Sequence, residues 1–481
     1  MSTQQTPLIV DLDGSLIKTD LLYESFIRNL FARPWVLVFL PLWIFHGIAY
    51  LKHRLASDVH IDVTALPYNQ ELLAYLQRQK DNGRKLVLCT GSNEQLADAI
   101  SRYLGIFDET HGSGKDYNLT GSRKAEFLRK RFGDQGFAYV GNEPKDLRVW
   151  RFASSAVVVG ASPSLAQSAS QVCGLENRIS VNSASIGVFM KQIRIHQWVK
   201  NLLLFVPLLT SQKFVELQAL TDALLGFVCF GLCASATYII NDLSDLDSDR
   251  VHQTKRNRPL ASGELPIKTA LLLCFTLFLA AGALLMQLPV WFAVVLALYT
   301  ATTLGYSFLF KRLQTVDTVV LASLYTVRIL AGAAVIAVYP SYWLLAFSMF
   351  VFLCLALVKR ISEICRKQLE IESAEEQIRG RGYYVTDLQA LISLASSAGM
   401  VSILVFAMYV NSAEVVAMYS TPMALWLACP IFAYWIIRIL IMASRGEIDE
   451  DPIAFAIKDK RSWITGFALA LVLAAASLIT L

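Results

Sequence analysis

The sequence predicts two unlike parts: an N-terminal α/β Rossmann-like domain with a small helical cap, then a C-terminal all-α integral membrane bundle of about nine transmembrane helices. Three observations carry this. Of 481 residues, 55% are apolar and 17% charged, where soluble domains carry roughly 25% charged residues. Short apolar runs bounded by Gly, Asp or Asn, with amphipathic stretches between them, fill the chain up to about residue 180. Beyond residue 199 the chain is dominated by long apolar stretches. The net charge of +5, spread over this length, does not indicate a nucleic-acid partner. The eight cysteines form no CxxC pair and no metal-ligand spacing with His, so they read as packing residues.

In chain order, Leu8–Val10, Leu86–Cys89, Ala138–Val140 and Ala156–Val159 read as parallel strands with crossover helices. Residues 161–190, rich in Ser, Ala and Gln, read as a terminal helix and linker. Residues 1–180 form the first domain, with a cap over about 20–75; 181–192 link it to the membrane domain, 193–481. Pro34–Leu51 has no charge, two prolines and Trp35, Trp43 and Tyr50. It reads as part of the cap leaning on the membrane interface, with a span or re-entrant hairpin as the alternative. It lacks a small-residue cleavage site and is no signal peptide.

The nine apolar stretches are 199–216, 219–240, 267–286, 288–308, 317–338, 341–359, 387–410, 421–443 and 462–481. The connections after the second, fourth, sixth and eighth carry nearly all the Lys and Arg, and the alternate ones essentially only Lys213. The positive-inside rule then places the charged loops and the first domain in the cytoplasm, in a multi-pass protein of the cell (inner) membrane.

At the end of the second stretch, Asp242, Asp245 and Asp249 recur at helical i, i+3, i+7 spacing, after Asn241 and before Arg250. Three acids at a membrane boundary repel unless cations neutralise them, and hard oxygen ligands suit Mg²⁺ with substrate phosphates. Lys255, Arg256 and Arg258 follow at once, so a diphosphate could be held from both sides. A solvated helix end and ordinary positive-inside topology are the plainer readings. A purely transport role would leave the three acids unexplained.

This NDxxDxxxDR pattern followed by KRxRPLASG resembles the UbiA superfamily of intramembrane prenyltransferases, from about Ile193 to the C-terminus. The resemblance implies a nine-helix bundle whose Asp-rich loops hold Mg²⁺ and a diphosphate. Typical members carry a second Asp-rich motif after the sixth helix; here that place reads Lys359-Arg360, then Arg379 and Arg381. Cations there suit a further phosphate. With Gln197-Trp198-Val199-Lys200-Asn201, Tyr306, Lys311, Asp317 and Arg328, the set resembles one branch, the polyprenyl-phosphate phosphoribosyltransferases. That implies phosphoribosyl diphosphate as donor and a polyprenyl phosphate as acceptor. Asp242, Asp245 and Asp249 would clamp the leaving diphosphate through Mg²⁺, with Asn241, Lys255, Arg256 and Arg258 assisting. Lys200, Lys359, Arg360 and Arg381, with Tyr306 and Lys311, would hold the 5-phosphate and the lipid phosphate. Lys311 and Arg328 could instead merely snorkel.

In the first part, Asp11-Leu12-Asp13-Gly14 follows the first strand. Two carboxylates at i, i+2 can share one phosphate site, one attacking and one moving a proton, with Mg²⁺ bridging. This resembles motif I of the haloacid dehalogenase (HAD) phosphohydrolases. Thr90-Gly91-Ser92, Lys124 and Gly141-Asn142-Glu143-Pro144-Lys145-Asp146 follow in the order of the later motifs. The resemblance implies Asp11 as nucleophile, Asp13 as acid/base, Thr90 and Lys124 on the phosphoryl group, and Asp146 near Mg²⁺; Lys115 is an alternative to Lys124. Asn142 stands where the family has an acidic metal ligand, which would weaken metal binding.

Together these imply a bifunctional membrane enzyme: 5-phosphoribose passes to a polyprenyl phosphate, and the phosphatase domain removes the 5-phosphate, for cell-envelope glycan or glycoprotein synthesis. The cap at Pro34–Leu51 would lie where the lipid product resides. The alternative is transfer of an isoprenoid chain from a prenyl diphosphate to an aromatic acceptor, beside an inactive or regulatory phosphatase domain.

Overall fold

The computed structural model describes residues 6–160, 163–180, 185–368, 382–448 and 451–478. By contacts the chain forms two units: 1–194 with 238–276, and 195–237 with 277–481. Two of the three boundaries fall inside long helices, α11 and α13 below.

The first unit is built on a six-stranded parallel sheet in the order β3-β2-β1-β4-β5-β6. Its elements are β1 (Leu8–Val10), α1 (Leu21–Ala32), α2 (Val36–Phe45), α3 (Ile48–Ser57), α4 (Gln70–Asp81), β2 (Leu86–Asn93), α5 (Glu94–Leu104), β3 (Glu109–Ser113), α6 (Ser122–Phe132), β4 (Ala138–Gly141), α7 (Leu147–Trp150), β5 (Ser155–Val159), α8 (Pro163–Ser170), β6 (Gly174–Ile179) and α9 (Ile186–Ile193). The central strands are buried on both faces, so they read as unbroken apolar runs. Leu8 and Val10 join one core and Ile9 the other, as alternation along a strand requires. Side-chain oxygens of Asp20, Asn69 and Asn93 cap α1, α4 and α5.

The edge strands β3 and β6 were not expected. β3 is a partly buried ETHGS and β6 a mostly exposed GLENRI; an edge strand needs no apolar run. The stretch read as terminal helix and linker thus holds α8, β6 and α9.

The remaining helices are α10 (Val206–Thr210), α11 (Leu217–Ser244), α12 (Leu246–Val251), α13 (Ile267–Leu285), α14 (Val290–Phe308), α15 (Val316–Val335), α16 (Tyr342–Gln368), α17 (Leu388–Val410), α18 (Ala413–Met418), α19 (Ala428–Ser444), α20 (Pro452–Lys458) and α21 (Lys460–Leu478). Seven helices among the described residues are long and apolar enough to cross a membrane: α11, α13, α14, α15, α16 and the helices ending at Val410 and Ser444. The expected count was nine. The first stretch is no continuous α-helix: Ile195–Phe205 is a 3-10 helix, α10 follows from a Pro207 start, and Gln212 at φ +56° ends it. Its polar side chains are spent on packing partners, Trp198 on Ser235 and Asn201 on Arg328. The ninth stretch forms α21, which opens on Lys460 and Arg461 and is not among the seven.

Candidate functional site

Three clusters hold most of the residues singled out above. The first lies at the C-terminal ends of β1, β2 and β4, where the strand order reverses; ligands of open parallel sheets bind at that place. Asp11 leaves β1 and accepts from its neighbour Leu12 N at 3.0 Å and from Lys124 Nζ at 2.7 Å. Lys124, buried on α6, also donates to the Tyr139 hydroxyl at 3.0 Å. Gly14, at φ +73°, turns the chain back, and a Cβ there would sit 2.3 Å from the Asn142 amide nitrogen. Only glycine fits that turn. Asp13 is thereby aimed at the tip of β2. It accepts from Ser92 Oγ at 2.6 Å, Thr90 Oγ1 at 3.4 Å and Leu21 N at 2.9 Å.

Burial, and then the charge of Asp20, push the Asp13 carboxyl up to about 7. Burial, and then Asp11, push Asp146 up to about 6. Both sites disfavour a further negative charge and would favour a cation or a proton. Asn142 accepts from Ser15 Oγ at 3.2 Å through its side-chain oxygen, beside the Gly14 turn. Lys52 had not been singled out. It reaches in from α3, donating to Gly91 O at 2.6 Å and Asn118 Oδ1 at 3.2 Å. Nothing local marks it, since its partners lie 39 and 66 residues away.

The second cluster is the acidic loop. Helix α11 ends at Ser244 and α12 begins at Leu246, with Asp245 at the break, so Asp242, Asp245 and Asp249 do not ride one continuous helix. Asp242 and Asp249 are buried and converge on one guanidinium. Arg258 Nη1 donates to Asp242 Oδ1 at 3.2 Å and to Asp249 Oδ2 at 2.5 Å. Asp242 also accepts from Arg194 and, at 3.0 Å, from Gln192. Asp249 Oδ1 is buried without a hydrogen-bond partner among the described residues. Burial raises the Asp249 carboxyl, against the pull of Arg258. Asn241 is half-buried at the end of α11, and Lys255 and Arg256 are exposed on the turn before Arg258.

The third cluster lies in the second unit. Lys200 Nζ and Lys359 Nζ meet Asp451 Oδ2 at 2.9 and 3.5 Å. The Tyr325 hydroxyl donates to the same oxygen at 3.1 Å. Burial disfavours the Asp451 charge, but the two ammoniums outweigh it and hold the carboxyl well below the usual range. Lys200 lines a cavity of about 760 Å³ whose other walls are nearly all apolar, including Phe347, Phe352, Trp435 and Phe467. Arg360 points elsewhere. Its Nε donates to Asp317 at 2.6 Å, its Nη1 to Glu363 and its Nη2 to the Tyr306 hydroxyl at 3.1 Å. Tyr383 closes that network on Asp317 at 2.7 Å. Adjacent residues on a helix lie about 100° apart, so Lys359 and Arg360 serve different groups. Arg328 is buried on Asn201 and Tyr299 rather than snorkelling. Lys311 is half-buried on a 3-10 turn, and Arg381 lies outside the described residues.

No group of three or more His, Cys, Asp or Glu side chains among the described residues is placed to hold a metal. The carboxylate pairs still suit a hard cation: Asp11 raises Asp146, and Asp249 keeps a buried oxygen open.

Comparison with known proteins adds four findings. Residues 203–464 match the UbiA prenyltransferase family. An uncharacterized protein of Sinorhizobium fredii is 36% identical over 471 residues, 97% of this chain and 90% of its own length. Decaprenyl-phosphate phosphoribosyltransferase of Mycolicibacterium smegmatis is 30% identical over 277 residues, 56% of this chain and 86% of that protein. A solved UbiA homologue of Archaeoglobus fulgidus, bound to GPP and Mg²⁺, overlaps 60% of this chain and 98% of its own at 17% identity and a TM-score of 0.45.

Proposed function

The chain belongs to the UbiA prenyltransferase family, as an integral membrane transferase, and from that premise we propose that it moves 5-phosphoribose from phosphoribosyl diphosphate to a polyprenyl phosphate. The observation that carries this reading is the lysine pair. Lys200 and Lys359 converge on one carboxylate, and Lys200 lines a largely apolar cavity of about 760 Å³. An anionic head on an apolar chain is the ligand such a place suits. The likeness to decaprenyl-phosphate phosphoribosyltransferase supports the donor.

In the transfer, the bond from ribose C1 to the diphosphate breaks and the diphosphate leaves with the electron pair. An oxygen of the lipid phosphate then bonds to C1. That oxygen is already anionic, so no strong base is required. Arg258, with Arg194 and Lys255, would take up the charge of the leaving diphosphate. Asp242, Asp245 and Asp249 would hold Mg²⁺, which when bound supplies charge neutralisation of the diphosphate.

The α/β site reads as a phosphatase of the HAD type that removes the 5-phosphate. Asp11 would attack phosphorus. The leaving ribose oxygen would take its proton from Asp13, whose raised carboxyl holds one near neutral pH. Water then releases phosphate from Asp11, with Asp13 as base. Lys124 and Thr90 would hold the phosphoryl oxygens, and Asp11, Asn142 and Asp146 would hold Mg²⁺. The cap helix α2 exposes Val38 (76%) and Phe45 (86%) on an uncharged helix, which suits a site working at a lipid surface. In this reading the α/β part and the charged loops face the cytoplasm.

The test offers the full-length protein ribose-labelled phosphoribosyl diphosphate with decaprenyl phosphate, and in parallel a labelled prenyl diphosphate with an aromatic acceptor. Label entering lipid from the first donor alone supports the proposal. Label moving only from the prenyl diphosphate overturns it and leaves the family's prenyl chemistry.

A further inference from the structure

The one carboxylate of α1 meets the acidic loop. Glu24 has no exposed surface. It accepts from Arg250 Nη2 at 2.6 Å and Nη1 at 3.3 Å, from Thr19 Oγ1 at 2.7 Å, and from Arg28. Arg250 has a side chain only 3% exposed, follows Asp249 directly, and donates to Ala261 O at 3.4 Å. Arg28 reaches on to Asp247, with Nε at 3.2 Å. Beyond Arg258 the chain presses on the same region of the α/β part. Gly263, at φ +75°, lies so close to Lys18 that a Cβ would sit 2.6 Å from the Lys18 side chain. Two arginines and two acids thus fasten both limbs of the loop, residues 247–250 and 258–263, to α1 and the turn before it. Burying such a network costs desolvation that an apolar contact would not.

We infer that Glu24 is a positioning residue for the transfer reaction: through Arg250 it sets the loop that presents Asp249 and Arg258, so the α/β part belongs to the transferase machinery. This rests on the reading of the acidic loop as the diphosphate and Mg²⁺ site. Glu24 itself touches no substrate in this scheme. Removing its charge leaves Arg250 buried and free to turn toward the Asp249 side of the loop.

The experiment uses the full-length protein in detergent, with kcat, the donor KM and the half-saturating Mg²⁺ concentration measured for wild type, Glu24→Gln, Glu24→Asp and Arg250→Gln. Glu24→Gln should raise the donor KM and the Mg²⁺ requirement by about tenfold, as loss of a support behind metal ligands commonly does. The acceptor KM should stay constant, and Glu24→Asp should recover part of the loss. Glu24→Gln with Arg250→Gln should be no worse than either alone, because both break one link. Should Glu24→Gln fail to fold, the surface variant Asp247→Asn should move the same two constants in the same direction. Unchanged donor KM and Mg²⁺ requirement in a folded Glu24→Gln protein would overturn the inference. So would equal rises in donor and acceptor KM. A wild type that uses only a prenyl diphosphate overturns the phosphoribosyl reading alone. The same constants, read with that donor, then decide the role of Glu24.

Discussion

Asp451 offers the sharpest perturbation. It holds Lys200 and Lys359 through one oxygen, accepts from Tyr325, and caps α20 through Ile453 N at 3.1 Å. In the proposed reaction the acceptor's phosphate needs the same two ammoniums, so the carboxylate competes with it. Asp451→Asn removes the competing charge yet keeps a capping side chain, so the helix start loses little. The two ammoniums, both on Asp451 Oδ2, lie within about 6 Å of each other, where like charges repel by roughly 2–3 kcal/mol at an effective dielectric of about 20. An arriving phosphate relieves that repulsion. Asp451→Asn should therefore lower the KM for decaprenyl phosphate by at least about tenfold, each 1.4 kcal/mol being one decade. The donor KM should not move, and the double variant with Lys200→Ala should lose the gain. The assay is initial-rate ribosyl transfer in detergent at varied acceptor. An acceptor KM that is unchanged or raised in a folded Asp451→Asn protein would refute the reasoning and leave Asp451 a helix cap with two ion pairs.

Three further outcomes follow from the same geometry. Asp11→Asn should cut phosphate release by about three orders of magnitude or more, as loss of a nucleophile does, while label still enters lipid; chromatography would then show a 5-phosphorylated lipid accumulating. Arg360→Met strands the buried Asp317 carboxylate and should cost about 3–5 kcal/mol; a melting temperature in detergent falls accordingly, and Arg360→Met with Asp317→Leu should recover much of it. Burial opposes the Glu176 charge, but Arg84, Ser155 and Tyr75 outweigh it and hold the carboxyl at about 2. Its contribution is therefore full above the unfolded value near 4.5 and is lost as pH falls toward 2. By linkage that is at most about 3 kcal/mol, and Glu176→Gln should flatten the stability of the protein between pH 5 and 2.

What the sequence carried and what it hid have physical causes. The central strands were legible because burial on both faces demands unbroken apolar runs, and the DxDG and NDxxDxxxDR carboxylates could be singled out because each set is local in sequence. The edge strands β3 and β6 were not, since one face meets water and polar residues suffice. The first apolar stretch has the composition of a span, but Pro207 and the long-range demands on Trp198, Lys200 and Asn201 break it. Lys359 and Arg360 are neighbours with opposite destinations, which adjacency cannot reveal. Glu24, Lys52 and Asp451 were missed for one reason: each gains its role from partners far away, Arg250 at 226 residues, Asn118 at 66 and Lys200 at 251. The start of α20 at Asp451-Pro452 was the one local signal among them.

The central claim is that this membrane transferase moves phosphoribose and then strips its phosphate. The direct measurement supplies the full-length protein with Mg²⁺, decaprenyl phosphate and ribose-labelled phosphoribosyl diphosphate, beside Asp11→Asn and Asp245→Asn. The account predicts dephosphorylated ribosyl lipid from wild type, 5-phosphorylated lipid from Asp11→Asn, and no labelled lipid from Asp245→Asn. No label in lipid from a wild type that remains active on a prenyl diphosphate would contradict it.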